Sequence, residues 1–328
     1  MNGTIKASVI IPTKSPGKIF YRVLSAVLSQ QTTFDYDVLV LDSGSSDGTI
    51  DFVRSINDKR VRLHQIPPGE FGHGKTRNLG ISLTEGEYAV MITHDACPVS
   101  PHWLEELVRP AACDPQVAGV FGRHLAYENA SPFTAMEIAM HFAGFKPSPV
   151  VYLEDSERYA KDVGYRQYLH FFSDNNALLR RTVWEMHPYP DVNFAEDQIW
   201  AKTIIEAGWK KAYAENAAVY HSHDYGLMER MQRSFDESFA FLRLFGYRLC
   251  PNLRTLVRTW AALTLRDLKI SFTEKLWKRF PGSVLRMPLD NLMRMLGYYF
   301  GSHGENLSVR MQKLLSRDYR MLAGILRK

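Results

Sequence analysis

Glu196 and Asp197 stand side by side in FAEDQIWAKTIIEAG (194–208). A carboxylate at that point can take a proton from a hydroxyl, the work of a general base. The plainer reading is a pair of acids complementing a helix dipole. Asp95 follows the apolar run YAVMIT (88–93), where a carboxylate can reach both solvent and phosphate. Magnesium and manganese often bind through one or two carboxylates plus phosphate oxygens. Asp95 could instead cap the helix that begins in SPHWLEELV, but Ser100 lies closer to it and is the better cap. His221 and His223, in VYHSH (219–223), can add an imidazole ligand or form a satisfied surface pair. Asp42 can accept a hydrogen bond from a pyrimidine N–H and Arg77 can pair with phosphate. Their plainer readings are a turn carboxylate and a solvated helix arginine.

The elements that must position these groups read as strands alternating with helices. SVIIPT (8–13) and DVLVLD (37–42) are buried β-branched runs, VRLHQI (61–66) alternates, and YAVMIT is a fourth strand. Between them fall helical spacing over 17–30, a turn-and-cap sequence SGSSDGT (43–49) leading into a helix near 49–56, and a helix over 76–86. VAGVFGRHLA (117–126) and 211–224 read as strands, and 177–186 and 195–208 as helices. This alternation predicts an α/β fold with a mostly parallel sheet. Ligands of such sheets sit beyond the carboxyl ends of the strands, and Thr13, Asp42 and Asp95 all fall at such ends.

From about 226 strands give way to long helical stretches. The division is drawn as 1–245, the α/β domain, and 246–328, a basic helical extension. Residues 247–328 carry 16 Lys/Arg against 5 Asp/Glu, whereas the rest of the chain carries 24 against 30. A basic tail on an acidic body points to a polyanion. Segments 254–268 and 286–300 mix apolar and basic residues at helical spacing, suited either to an anionic membrane surface or to packing with a solvated basic face. Nucleic acid is not expected, since no recognised motif accompanies the charge.

At 45% hydrophobic and 23% charged, the 328-residue chain has the composition of a globular protein. Cys97, Cys113 and Cys250 are too far apart for a metal or redox motif, which fits a reducing compartment. With no signal peptide and no run near the ~20 apolar residues of a bilayer span, a cytoplasmic location is expected, with peripheral attachment to the inner face of the plasma membrane as its variant.

GEFGHGKT (69–76) fits the phosphate-loop pattern G-x-x-x-x-G-K-[ST] in full. A P-loop NTPase is therefore an alternative, although Pro67 and Pro68 break the strand that should lead into the loop, and VRLHQI is edge-like. Exchanging Lys75 for Ala separates the two readings.

Taken in order, SVIIPT, DVLVLDSGSSDGT, FGHGKTRNLG, MITHDACP with PHWLEEL, FSDNNALLRR, FAEDQIWAKTIIEAG and VYHSH resemble the second family of inverting glycosyltransferases over residues 6–240. DSGSSDGT, FGHGKTRN and THDAxP are similar to its bacterial rhamnosyltransferase branch. The resemblance implies a GT-A (Rossmann-like) fold. It also implies a nucleotide-sugar donor, expected to be dTDP-rhamnose, a polysaccharide or lipid-linked glycan acceptor, and a divalent metal (Mg2+ or Mn2+). Thr13, Asp42 and Arg77 would bind the nucleotide, and Ser173, Asn175 and Asn176 would line the donor-sugar pocket. Asp197 would be the base with Glu196 beside it. Asp95, with His221 or His223, would hold the metal. The family's Asp-x-Asp reads Thr93-His94-Asp95 here, without the first carboxylate; that loss is the sole support for a further alternative, a non-catalytic relative that binds glycan or membrane.

Overall fold

The computed structural model describes residues 5–192 and 194–319. The last nine residues of the basic tail, 320–328, lie outside the described residues. The chain forms two compact units, one from the residues up to 127 with 138–221, the other from 128–137 with 222 onward. The division falls at His221, whereas the change in composition falls near 245.

The first unit is built on one mixed sheet. In chain order its elements are β1 (Ala7–Thr13), α1 (Ile19–Leu28), β2 (Tyr36–Asp42), α2 (Thr49–Ser55), β3 (Val61–Gln65), α3 (His73–Ser82), β4 (Tyr88–Ile92), β5 (Cys97–Pro98), α4 (Trp103–Cys113) and β6 (Val117–Leu125). After α5 (Pro132–Ala143), which opens in the second unit, come β7 (Val150–Val151), α6 (Ser156–Lys161), α7 (Val163–His170), β8 (Asn176–Arg180), α8 (Arg181–Met186), α9 (Glu196–Glu206) and β9 (Lys210–Tyr220). The strand order is β3-β2-β1-β4-β8-β6-β9-β5, with β7 beside β9.

The first four strands in that order are parallel, as the alternation predicts. The run 177–186, predicted as one helix, instead divides into β8 and α8. β8 lies antiparallel between β4 and β6. Ala177, Leu178 and Leu179 are helix-prone residues, but all three are fully buried in the sheet, and pairing on both sides overrides propensity.

Strand alternation sorts the core into two layers. Val9 and Ile11 face α1 and α4 with Phe20, Val23 and Trp103. Ile10, Leu41 and Phe121 face α3 and α9 with Ile81 and Trp200. Gly80 of α3 sits directly on the sheet; a Cβ there would lie 2.6 Å from Ile10 and 2.8 Å from Leu41.

The second unit is helical: α10 (Leu227–Phe245), α11 (Leu253–Thr273), α12 (Leu276–Arg279), α13 (Pro281–Ser302) and α14 (Val309–Leu315). Its main contact is α10 against α13. Gly297 and Gly301 meet Ser234 and Ser238, and a Cβ on either glycine would come within 2.6 Å of those serines. Small residues four apart on both helices thus let the backbones approach closely. No helix among the described residues is long and apolar enough to cross a membrane.

Candidate active site

The strand directions bring several ends to one edge. β1, β2, β4, β6 and β9 share a direction, so their carboxyl ends lie together; β8 runs the other way and brings its amino end there. Thr13, Asp42, Asp95, His124, His221 and the segment 173–175 are therefore placed at or just beyond a single sheet edge.

Thr13 and Asp42 are register partners at the ends of β1 and β2. Asp42 is fully buried. Its Oδ1 accepts the N–H groups of Gly44 and Ser45, both at 2.9 Å. Its Oδ2, like Thr13 Oγ1 and Thr93 Oγ1, is buried with no hydrogen-bond partner. An unsatisfied buried polar group costs about 1–3 kcal/mol, so such a cluster is a site built for donors and acceptors it does not itself contain. Gly44, at φ +95°, turns the chain away from Asp42 and packs on Pro68, where a Cβ would lie 2.6 Å from the ring. The Gly17 N–H donates to Asp47 at 2.8 Å, tying the loop after β1 to the loop after β2.

Asp95 lies three residues past β4, and its main-chain oxygen accepts the Tyr127 hydroxyl at 2.8 Å. His221 follows β9, anchored by its N–H to the Leu125 carbonyl at 2.8 Å. Its Nε2 stands 3.7 Å from Asp95 Oδ1. The His124 ring on β6 lies 5.3 Å from the His221 ring. Burial, with the neighbouring His221, pushes the His124 pKa well below its usual value and keeps the ring neutral. Its Nε2 is buried without a partner. Half-buried oxygen and imidazole donors together suit a divalent cation, with Thr93 offering a hydroxyl where a first carboxylate is missing. His223 comes two residues later, exposed, in the segment that opens the second unit.

A third cluster surrounds Arg77, on the buried side of α3. Its NH1 donates to Glu196 Oε1 at 2.5 Å, and its Nε pairs with Asp174 Oδ2 at 3.0 Å, an ion contact whose angle falls short of a hydrogen bond. The three side chains are at most 8% exposed. The Tyr189 hydroxyl donates to Asp174 Oδ1 at 2.6 Å. Asp197 sits next to this cluster, half-buried, accepting the Asp174 N–H at 3.3 Å and the Gln198 N–H at 2.8 Å. Burial, and then the charges of Asp174 and Glu196, push the Asp197 pKa well above the carboxylate range, with Arg77 opposing. The turn into α9 passes through Ala195 at φ +55°, a left-handed conformation that costs a non-glycine residue of order 1–3 kcal/mol. Strain is thus held one residue before the acidic pair.

Two residues expected at the donor sit inside the protein. Arg77 is buried and engaged with the carboxylates of Glu196 and Asp174, because α3 turns it inward under α9. Asn176 does not line a pocket: it is fully buried, its Nδ2 donates to the Ala217 carbonyl at 2.7 Å and its Oδ1 accepts the Trp103 indole at 2.8 Å. Ser173 is buried beside it and Asn175 is half-buried. Glu196 and Asp197 do stand in the first turn of α9, as the plainer reading has it, and Glu196 is in addition buried against Arg77. Asp174 and His124 were missed from sequence; Asp174 stood inside FSDNNALLRR, but nothing in the spacing marked it as a partner for Arg77, almost a hundred positions away.

The phosphate-loop pattern is overturned by its own backbone. The Gly72 N–H donates to Thr76 Oγ1 at 3.2 Å and the Gly74 N–H to the Val192 carbonyl at 3.3 Å. These amides are bound within the protein and cannot cradle phosphate. Gly74 is required for packing, since a Cβ there would fall 2.0 Å from the Pro190 oxygen.

The glycosyl transferase family 2 model matches residues 8–186. The chain is 31% identical to the O-antigen chain rhamnosyltransferase RfbN of Salmonella typhimurium, over 92% of this chain and 91% of that one. It is 29% identical to the O-antigen chain rhamnosyltransferase WbaN of Salmonella anatum, over 92% and 90%. Among solved structures, the mannosyltransferase PcManGT from Pyrobaculum calidifontis, in complex with GDP-Man and Mn2+, superposes with a TM-score of 0.57 at 18% identity, covering 92% of this chain and 86% of that one. S. aureus TarS 1–349 in complex with UDP gives 0.53 at 17% identity, with 93% of each chain covered. These likenesses support the α/β fold and replace the NTPase and non-catalytic readings: the chain belongs to glycosyl transferase family 2 and is a nucleotide-sugar-dependent transferase.

Proposed function

We propose that the chain transfers rhamnose from dTDP-rhamnose, with inversion, to a polysaccharide or lipid-linked glycan. The observation that carries this reading is the placement of the Asp197 cluster and the Asp95–His221 pair on the same sheet edge. Asp197 takes the proton of the acceptor hydroxyl as that oxygen bonds to the anomeric carbon, while the bond to the diphosphate breaks on the opposite face. An elevated pKa makes Asp197 a stronger base than an exposed carboxylate. Arg77, Asp174 and Glu196 hold it in position. Asp42 Oδ2 accepts the N3–H of thymine, with Thr13 alongside, and Ser173 and Asn175 face the donor sugar. Asp95 and His221, with His223 as a further ligand, hold the divalent cation. When bound, that cation stabilises the charge on the leaving diphosphate. The donor assignment draws on the two Salmonella relatives.

The test is a calorimetric panel of dTDP-rhamnose, UDP-GlcNAc and GDP-mannose, each with and without manganese. dTDP-rhamnose should bind most tightly and manganese should strengthen it. A ligand at 100 times its Kd raises unfolding free energy by about 2.7 kcal/mol, so thermal shifts give an independent reading. Preference for another nucleotide, or none, defeats the donor assignment.

A second observation favours work at the cytoplasmic membrane face. Leu253, Val257, Leu265 and Phe272 form an exposed row along α11, each more than half exposed, and Trp277 follows on α12. Exposed Arg254, Arg258, Lys269, Lys275, Lys278 and Arg279 flank them. Apolar residues rimmed by cations suit the interface of an anionic bilayer, where each Lys or Arg contributes about 1 kcal/mol. The chain should sediment with vesicles rich in anionic lipid at low salt and not with neutral ones; failure to sediment with either rejects peripheral association.

A further inference from the structure

We propose that a cavity within the helical unit binds a neutral saccharide, one or two sugar units of the acceptor glycan. The cavity has a volume of about 280 Å³. That is near the lower end of the range for ligand pockets, about 300–1,000 Å³, and suits a short glycan end rather than a long chain. Its walls come from segment 128–137, Asp224 and Tyr225, the start of α10, and α13 with Phe280 before it.

The charges of the wall identify the ligand class. Three arginines face four carboxylates, so the lining nearly cancels. Arg294 forks onto Glu137 at 2.6 and 2.7 Å, and Arg286 pairs with Asp290 at 3.0 Å. Asp224 accepts the Ser131 N–H at 2.7 Å and the Thr134 hydroxyl at 2.6 Å. These planar groups are fixed in orientation and offer both donors and acceptors. Arg230 differs: its guanidinium lies 5.4 Å from the Tyr225 ring centroid, and its Nε is buried without a hydrogen-bond partner. Phe280 stands at the lip, 38% exposed. A polyanion would call for excess cation, and an apolar ligand would leave seven charged groups facing it. Sugar hydroxyls both donate and accept, and the C–H face of a pyranose packs on an aromatic ring.

The chain leaves the sheet unit at Tyr127, which holds Asp95, and again at His221. Wall residues Glu128 and Asp224 follow those exits within three positions. The saccharide's role as acceptor rests on the transfer reading above; its binding does not.

Saturation-transfer NMR on the full chain, with methyl α-L-rhamnopyranoside, methyl α-D-mannopyranoside and methyl α-D-galactopyranoside at millimolar concentration, tests the assignment. At least one glycoside should show saturation transfer and retain it when dTDP-rhamnose and manganese are added. Phe280→Ala and Arg230→Gln should each weaken it at least about tenfold, or about 1.4 kcal/mol, with calorimetric nucleotide affinity unchanged. Phe280 is a surface residue, so that variant stands as the test if Arg230→Gln does not fold. No response from any glycoside, an unchanged response in a folded variant, or binding of inorganic pyrophosphate alone overturns the proposal. The donor panel fails or succeeds separately, so loss of one reading is distinguishable from loss of the other.

Discussion

The cluster around Arg77 and the cluster around Asp95 occupy the same sheet edge but are built in opposite ways. Around Arg77, cation and carboxylates are buried and matched to one another, with Tyr189 adding a hydroxyl. Around Asp95, the carboxylate and the His221 ring are half-buried, His221 Nε2 stands 3.7 Å from Asp95 Oδ1, and the buried His124 Nε2 has no partner. Folding pairs the charges of the first cluster with one another; on the proposed reading the second offers donor atoms to an ion and a diphosphate. On the proposed mechanism, the contrast separates residues that would hold a base in place from residues that would receive a ligand.

The sharpest test of this contrast is Asp197→Asn. If Asp197 is the base, removing it should lower kcat by about 10²–10⁴-fold in a transfer assay, while calorimetric affinity for the nucleotide sugar stays the same. Turnover within a few-fold of wild type would show that the proton goes elsewhere.

Next in size is Arg77→Met, which strands two buried carboxylates. Removing one partner of a buried ion pair typically costs about 3–5 kcal/mol, so the loss should appear as a large fall in the denaturation midpoint, with or without nucleotide. If stability holds and only nucleotide affinity falls, Arg77 belongs with the ligand-receiving group.

The smallest effect is a shift in pH dependence. Asp197 must be ionised to act, and its pKa is raised by burial and by the negative charges of Asp174 and Glu196. The acidic limb of kcat/KM should therefore lie above the usual carboxylate range, with activity rising as Asp197 loses its proton. Asp174→Asn removes one repelling charge, so the limb should move to lower pH while the alkaline side stays in place. A limb that does not move would uncouple the two groups.

Much of the fold was legible because its signals are local. β1, β2 and β4 are apolar runs ended by polar residues, and their parallel pairing follows from the helices between them. β8 was misread because Ala-Leu-Leu suits a helix as well as a strand, and its place between β4 and β6 is fixed by residues more than fifty positions away. The phosphate-loop pattern shows the same limit: its glycines meet a spacing rule, yet Gly74 is needed for contact with the Pro190 carbonyl.

By itself the sequence determined the strand ends that carry Thr13, Asp42 and Asp95, the acidic pair at the start of α9, and the basic character of the helical unit, because each depends on nearest neighbours and periodicity. Only the tertiary structure decided that Arg77 pairs with Glu196 and Asp174, that Asn176 is an internal brace, and that His124 joins His221. Those relations arise where separate strands and helices pack. A charge's partner in a folded chain is set by distance in space, which residue spacing along the chain does not record.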